Sequence, residues 1–244
     1  MTDLAVIMGA TGGLGSAIVD AFASRGDRVI AVARSRAQVS QLASKYPLSP
    51  SPSGGGQRGG VTGDTADLTS RLAVDDLWER IDRMGSPRWV VNATGGYRAG
   101  KVVDTTPDDF SFMMDLNLGT AWWSCRAAAR RLQAGGAIVN VASRAALTGS
   151  AGSSAYAVSK AGVVRLTEVL AAELKGAAEL KASGVRVNVI VPAIIDTAVN
   201  RQVLPEKLMQ KAVAPAEIAA VIAYLCSDAA AAITGATIPV YGKY

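Results

Sequence analysis

The 244-residue chain contains no histidine, only two cysteines and no membrane-length apolar run, and each shortage closes a line of chemistry. Without histidine, the side chain that ordinarily titrates near neutral pH is absent. Proton transfer in this protein then falls to a group with a displaced pKa, and tyrosine or lysine leads. Cys125 and Cys226 do not make a disulfide framework. Both sit in helical patterns and read as small core residues, which points to a reducing cytoplasm. Apolar stretches are interrupted by Gly, Arg or Asp well short of a bilayer span. The opening MTDLAVIMGATGG has no basic region before its apolar run, so it reads as a first strand rather than a signal peptide.

The net charge is +5 and the pI about 9.4. Basic residues are scattered, with short pairs such as Arg130-Arg131, and no nucleic-acid-binding signature accompanies them. No nucleic acid, membrane or metal partner is expected. A positive field also suits an anionic dinucleotide. Half the residues are hydrophobic and mean hydropathy is +0.24. That supplies an ample core, with some apolar surface left for subunit contacts.

Strand and helix patterns alternate along the chain. Strands are expected at 4–8, 28–33, 61–65, 88–92, 136–143, 185–191 and 237–241. Helices are expected at 16–25, 35–46, through Leu77, Trp78 and Ile81, from a Thr106 cap and Pro107 to about Leu132 with a kink near Asn117 and Gly119, from Ser153 or Ser154 to about Leu174, and at 215–227. Helical crossovers between apolar strands imply a parallel sheet covered on both faces. The reading is a single α/β domain over 1–244, a doubly wound Rossmann-type sandwich of about seven strands. Residues 47–60 (PLSPSPSGGGQRGG) read as a flexible surface insertion. Ala171-Ala172-Glu173-Leu174 recurs as Ala177-Ala178-Glu179-Leu180, a local duplication that lengthens the helix or its loop.

Gly9-Ala-Thr11-Gly12-Gly13-Leu14-Gly15 joins the first strand to the first helix. Glycines there let backbone approach a pyrophosphate while helix amides point at it. The whole turn, Gly9, Thr11, Gly12, Gly13, Leu14 and Gly15, is assigned to a dinucleotide. After the second strand come Ala33-Arg34-Ser35, with no carboxylate to hold ribose hydroxyls and an arginine available for a 2′-phosphate. NADP(H) is therefore favoured over NAD(H), with Arg34 and Ser35 as contacts. Asp67, followed by Leu68, is placed at the adenine, with Asp64 as competitor.

Tyr156 and Lys160 are four residues apart, on one helix face, and Ser143 lies thirteen residues before the tyrosine. An ammonium near a phenol favours the phenolate, so the Tyr156 pKa is expected to fall below its ordinary value of about 10.

In order, Gly9-x-x-x-Gly13-x-Gly15, Asn92-Ala-Thr-Gly95, Asn117, Ser143, Tyr156-x-x-x-Lys160 and Pro192 with Thr197 resemble the short-chain dehydrogenase/reductase family over essentially the whole length. Each piece is modest alone; the ordered set is specific. The resemblance implies that Tyr156 is the general acid or base and that Lys160 binds the nicotinamide ribose and tunes Tyr156. It implies that Ser143 holds the substrate oxygen and that Asn117 holds a water beside Lys160. Asn92, Ala93 and Gly95 would line the cofactor groove, and Pro192, Ile195 and Thr197 would seat the nicotinamide. The family's helices at 106–132 and 154–174 imply a homodimer or homotetramer. Met8, Thr94, Ala142 and Ala193 depart from the usual pattern, and none removes a catalytic group. The short interval from Thr197 to Pro215, where the family forms its lid, implies an open site.

The expected activity is hydride transfer between NADP(H) and a small carbonyl or alcohol substrate. Two alternatives stand beside it. Gly95-Gly96-Tyr97 and the short lid resemble dihydropteridine reductases, against which Ser143 weighs. A non-catalytic dinucleotide sensor would show an eroded catalytic set, and here all four positions are filled.

Overall fold

The computed structural model describes residues 3–50, 57–176 and 184–243. Seven parallel strands form one sheet: β1 (Leu4–Met8), β2 (Arg28–Ala33), β5 (Val61–Thr65), β6 (Trp89–Asn92), β7 (Ala137–Val141), β8 (Arg186–Pro192) and β9 (Thr237–Val240). Their order is β5-β2-β1-β6-β7-β8-β9. Chain direction across the sheet therefore reverses between β1 and β6, which pair from Ala5–Trp89 to Met8–Asn92. In an open parallel sheet, the crevice beyond the strand ends at such a reversal is where a ligand binds.

Side-chain alternation distributes β1 between two cores. Ala5 and Ile7 face α1 (Gly15–Ser24), α2 (Arg36–Ser44) and α9 (Pro215–Leu225). Leu4, Val6 and Met8 face α3 (Arg71–Met84), α5 (Thr120–Ala129) and α6 (Ser154–Gly176). Every β1 residue is buried, which explains why the strand reads as an unbroken apolar run. Each large side chain removed from water in this way contributes roughly 1.5–3 kcal/mol. Trp78 and Phe22 are the bulkiest fully buried groups. Phe22 meets Trp89 edge-on at 5.7 Å, under the Arg25 guanidinium. Cys125 and Cys226 are buried free thiols, and burial pushes both up to about 12, which keeps them unreactive.

Differences from the expected elements are local. The kink near Asn117 is a π-helical turn, Met114–Gly119, between α4 (Pro107–Met113) and α5. Thr106 caps α4 by accepting from Asp109 N, with Pro107 at its first position. The 47–60 insertion begins and ends in a short antiparallel ladder, β3 (Ser49–Pro50) with β4 (Gln57–Arg58). Residues 51–56 and the repeated Ala177–Leu180 lie outside the described residues. The lid segment holds two short helices that the sequence pattern did not indicate, α7 (Ala198–Val203) and α8 (Glu206–Met209). Six and four residues are too few to show a helical period. Among the described residues, no helix is long and apolar enough to cross a membrane, and no group of acidic or thiol ligands could hold a metal.

Candidate active site

The turn after β1 has no room for a side chain at Gly9, Gly13 or Gly15. Gly9 takes φ +80°, and a β-carbon on Gly15 would lie 2.1 Å from the Gly9 carbonyl oxygen. A β-carbon on Gly13 would strike the Thr197 methyl at 2.6 Å, so the start of the lid already rests on the turn. Gly9, Thr11 and Gly12 open onto a cavity of about 330 Å³ that continues past Ala33, Arg34, Asp67, Leu68, Ala93 and Gly95. Of the other assigned turn residues, Gly13 lies against Thr197, Gly15 against the Gly9 carbonyl, and the Leu14 side chain is buried in the core.

At the far end of this groove Arg34 is exposed, and Ser35 caps α2 by accepting from Gln38 N. The two candidate aspartates differ in their partners. Asp64 is buried and taken by the Arg80 guanidinium at 3.0 Å. Asp67 faces the groove, where hydrogen bonds from the Thr69 hydroxyl and amide, with Arg34 nearby, hold its carboxyl below the usual range.

Asn92 differs from its expected role. Its side chain turns inward, donating to Asn140 Oδ1 at 2.7 Å, and Asn140 in turn donates to Thr167 at 2.9 Å. This buried relay ties β6 to β7 and α6, and the groove wall is made by Ala93, Thr94 and Gly95 instead. Sequence reading treated Thr94 only as a departure from a pattern. In the fold Thr94 lines the groove, while its hydroxyl is buried against the Gly9 turn without a hydrogen-bond partner.

The catalytic candidates come together where β7 ends and α6 begins. Ser143, two residues beyond β7, accepts from Ala145 N at 3.3 Å and lines the same cavity as the Tyr156 phenol, whose upward shift it opposes. One helical turn on, Lys160 is buried and its ammonium donates to the Val141 carbonyl at 3.0 Å. Asn117, swung inward by the π-turn, receives Gly96 N–H on Oδ1 and donates from Nδ2 to Gly96 O, both at 3.1 Å. A β-carbon on Gly95 would fall 2.7 Å from Asn117 Oδ1 and 2.9 Å from Lys160 Nζ. That glycine therefore keeps open the small space the two polar groups share.

The expected depression of the Tyr156 pKa is not what the protein alone produces. Burial pushes the phenol up, and the Ser143 hydrogen bond opposes this only in part. Lys160 is not among the groups that shift the phenol, and burial acts against its own charge, bringing it from 10.5 to about 8. A buried ammonium whose one protein partner is a neutral carbonyl is electrostatically incomplete.

A second cavity, of about 470 Å³, opens over Ser143 and Tyr156. Its other walls include Tyr97, Thr148 and Ser153 on the loops, Ala193 and Ile194 beyond β8, and Asn200, Val203 and Leu204 on and after α7. Pro192 closes β8. Ile195 packs against the core and forms a bridge with Val213 across the lid base. Thr197 caps α7, Asn200 donates to Ile195 O at 2.8 Å, and Asp196 pairs with Arg201. The lid is short yet internally braced. Tyr97 and Asn200 had no sequence signal beyond their position near the paired glycines and after Thr197.

Residues 3–208 match the family model described as short chain dehydrogenase. The chain is 32% identical to D-threitol dehydrogenase of Mycolicibacterium smegmatis, across 99% of this chain and 92% of that protein. It is 30% identical to meso-2,3-butanediol dehydrogenase of Serratia marcescens, across 97% and 92% respectively. Among solved structures, a short-chain dehydrogenase/reductase from Brucella melitensis, described as glucose/ribitol dehydrogenase, superposes with a TM-score of 0.86 at 28% identity, covering 99% of this chain and 96% of that one.

Proposed function

The chain belongs to the short-chain dehydrogenase/reductase family of oxidoreductases, and from that premise we propose that it interconverts a small carbonyl compound and its alcohol with NADP(H), using Tyr156 as general acid and base. The observation that carries this reading is the Ser143–Tyr156 hydroxyl pair, facing an open cavity with the Lys160 ammonium one helical turn below.

The groove fits a nicotinamide dinucleotide. Gly9, Gly13 and Gly15 leave no room for side chains at the turn, the Thr94 hydroxyl lacks a partner, and among the described residues no carboxylate pairs with the Lys160 ammonium. Gly9, Thr11, Gly12 and Gly13, with the amides that open α1, would hold the pyrophosphate. Asp67 and Leu68 would border the adenine, Lys160 would hold the ribose, and Ile195 and Thr197 would border the nicotinamide. When bound, the dinucleotide supplies or accepts the hydride.

The protein's part is position and the proton. Ser143 Oγ holds the substrate oxygen and stabilises the charge that develops there. Tyr156 Oη transfers its proton to that oxygen in reduction and removes it in oxidation, a contribution of about 10²–10⁴-fold. Asn117 fixes the Gly95–Gly96 turn beside Lys160; after reduction Tyr156 regains a proton from solvent past these two groups, and in oxidation the proton it takes from the alcohol leaves to solvent by the same way.

The preference for NADP(H) rests on Arg34, exposed at the groove end with no carboxylate closing β2. Ketones, aldehydes, quinones and a quinonoid pterin, each assayed with NADPH and with NADH, test the whole reading. NADPH should be the tighter ligand, and Arg34→Ala should weaken it by about 10- to 100-fold, the worth of a charge-assisted hydrogen bond, while NADH changes little. Tighter binding of NADH would overturn the preference. Dinucleotide binding without turnover of any carbonyl would overturn the enzymatic assignment.

We also propose that the chain is one catalytic unit acting as a homodimer or homotetramer in a reducing, cytoplasmic setting. Phe110, Trp122, Val158 and Val169 stand exposed on α4, α5 and α6, more apolar side chain than an isolated helical surface usually shows. Trp122→Lys should shift the protein toward monomer in size-exclusion chromatography with light scattering. An unchanged mass for both proteins at the monomer value would refute the assembly.

A further inference from the structure

We propose that Asn200 is a positioning residue for the nicotinamide end of the groove: its side-chain amide sets the 195–197 segment in the arrangement that receives the ring before any ligand arrives. The inference rests on the oxidoreductase reading above and deepens it, assigning control of that segment to one residue of the lid.

Apolar packing does little for this part of the chain. β8 ends at Pro192, and the helix that follows Thr197, α7, has six residues, too few to be stable alone. None of the six is buried, and only Asn200 is half-buried. What holds α7 beside the cavity is therefore polar. Asp196 pairs with Arg201, but that pair faces water, where such a contact contributes little. The Asn200 side chain instead reaches back across the start of the helix, and its Nδ2 donates to Ile195 O at 2.8 Å.

Several hydrogen bonds converge on the same short stretch. The Ile195 carbonyl also accepts from Thr197 N at 2.9 Å, closing a three-residue turn around Asp196. A carbonyl oxygen has two lone pairs, and these two donors use both. Its direction is set, and with it that of the peptide between Ile195 and Asp196. Asn200 N donates to Thr197 Oγ at 3.2 Å, which leaves that hydroxyl's own proton for another acceptor. On the opposite side Asp196 N donates to Val213 O and Val213 N to Ile194 O, both at 2.8 Å. The segment is thus clamped between buried Val213 and Asn200. Its Thr197 methyl lies against Gly13, so a shift of the segment is felt at the glycine turn.

The two clamps differ in what they ask of the sequence. Val213 acts through backbone groups that any residue except proline supplies. The other clamp depends on one side-chain amide. Asn200→Leu keeps the volume and removes the donor, and Asn200→Asp keeps the shape but sets a carboxylate against the carbonyl. Either change frees a lone pair of Ile195 O and loosens the segment. A segment that must then be ordered on binding lowers affinity, and only for a ligand long enough to reach it.

The test compares wild type, Asn200→Leu and Asn200→Asp by calorimetric titration with two pairs of ligands, NADP⁺ with 2′-phospho-ADP-ribose and NAD⁺ with ADP-ribose. Within each pair the shorter molecule lacks only the nicotinamide. Both variants should bind the dinucleotide that wild type prefers about three- to tenfold more weakly, the worth of one neutral hydrogen bond. They should bind its truncated partner as wild type does. Equal weakening of both members of a pair would mean a general loosening of the lid and overturns the assignment. So does an unchanged affinity for the complete dinucleotide, or a gain, which would mean that the amide holds the segment against the ligand. In those cases carbonyl turnover by wild type leaves the oxidoreductase reading standing. If the affinity split is found but wild type turns over no carbonyl, the reading fails and the Asn200 assignment stands. A wild type that binds neither dinucleotide ends both.

Discussion

Tyr156→Phe is expected to lower kcat for carbonyl reduction by about 10²–10⁴-fold, the range ascribed to a positioned general acid, while NADPH affinity changes by less than about tenfold, the worth of one neutral hydrogen bond. Phenylalanine preserves the ring, so the edge-to-face contact with Tyr97 at 5.1 Å survives and the cavity keeps its shape. Only the proton and the hydroxyl partner of Ser143 are lost. The direction of the Tyr156 shift adds a pH signature. Burial holds the phenol above its ordinary 10.0, so it is protonated throughout the neutral range, the form reduction requires. Oxidation requires the phenolate, and its rate should climb with pH where reduction does not. Initial rates in both directions across the alkaline range check this. Full activity in Tyr156→Phe, or an oxidation rate independent of pH, would remove Tyr156 from the proton step.

What the sequence disclosed depended on how local each signal was. The strands were readable because residues such as Val6, Ile7 and Val90 are buried on both faces of the sheet, which leaves continuous apolar runs. Thr106-Pro107 announced α4 because cap and first-turn preferences are set by the backbone alone. The π-turn was visible only as an irregularity near Asn117, since one extra residue in a helix leaves a kink in the period and no sign of its hydrogen bonding. Asn92 was misplaced for a different reason. Its side chain answers to Asn140, forty-eight positions away, and no local pattern reports a partner on a neighbouring strand. Tyr97 was legible as a loop residue near the site, but its contacts with Tyr156 and Ser153 were not, because they cross between separate segments. The Tyr156–Lys160 spacing gave the right helix face but the wrong sign for the isolated protein. Spacing carries the Coulombic attraction and omits desolvation, which here is the larger effect on both groups.

That omission leads to the second large effect. Lys160→Met should abolish most turnover and at the same time stabilise the ligand-free protein. A lysine whose folded-state pKa falls from 10.5 to about 8 binds its proton less well folded than unfolded. Below pH 8 the buried ammonium therefore costs about 3 kcal/mol, at about 1.4 kcal/mol per pKa unit. The cost fades as pH rises from about 8 toward 10.5, where both states become neutral. Stability of the ligand-free wild type should accordingly gain a favourable contribution across that window, and Lys160→Met should lack it. Methionine fills similar space without charge, but leaves the Val141 carbonyl short of its 3.0 Å partner, a loss of about 1 kcal/mol. The net gain near pH 7 is then about 2 kcal/mol, or roughly 4–8 °C in melting temperature for a chain of this size. Activity moves the other way on the proposed reading, because the group assigned to the nicotinamide ribose is gone. Denaturant titration at pH 7 and at pH 10 separates the two accounts. A variant less stable than wild type at pH 7, or a difference that does not shrink as pH rises, would mean that the Lys160 charge is already compensated within the protein. A buried ammonium that weakens the empty fold and strengthens the loaded one also requires dinucleotide binding to raise the wild-type melting temperature more than that of Lys160→Met.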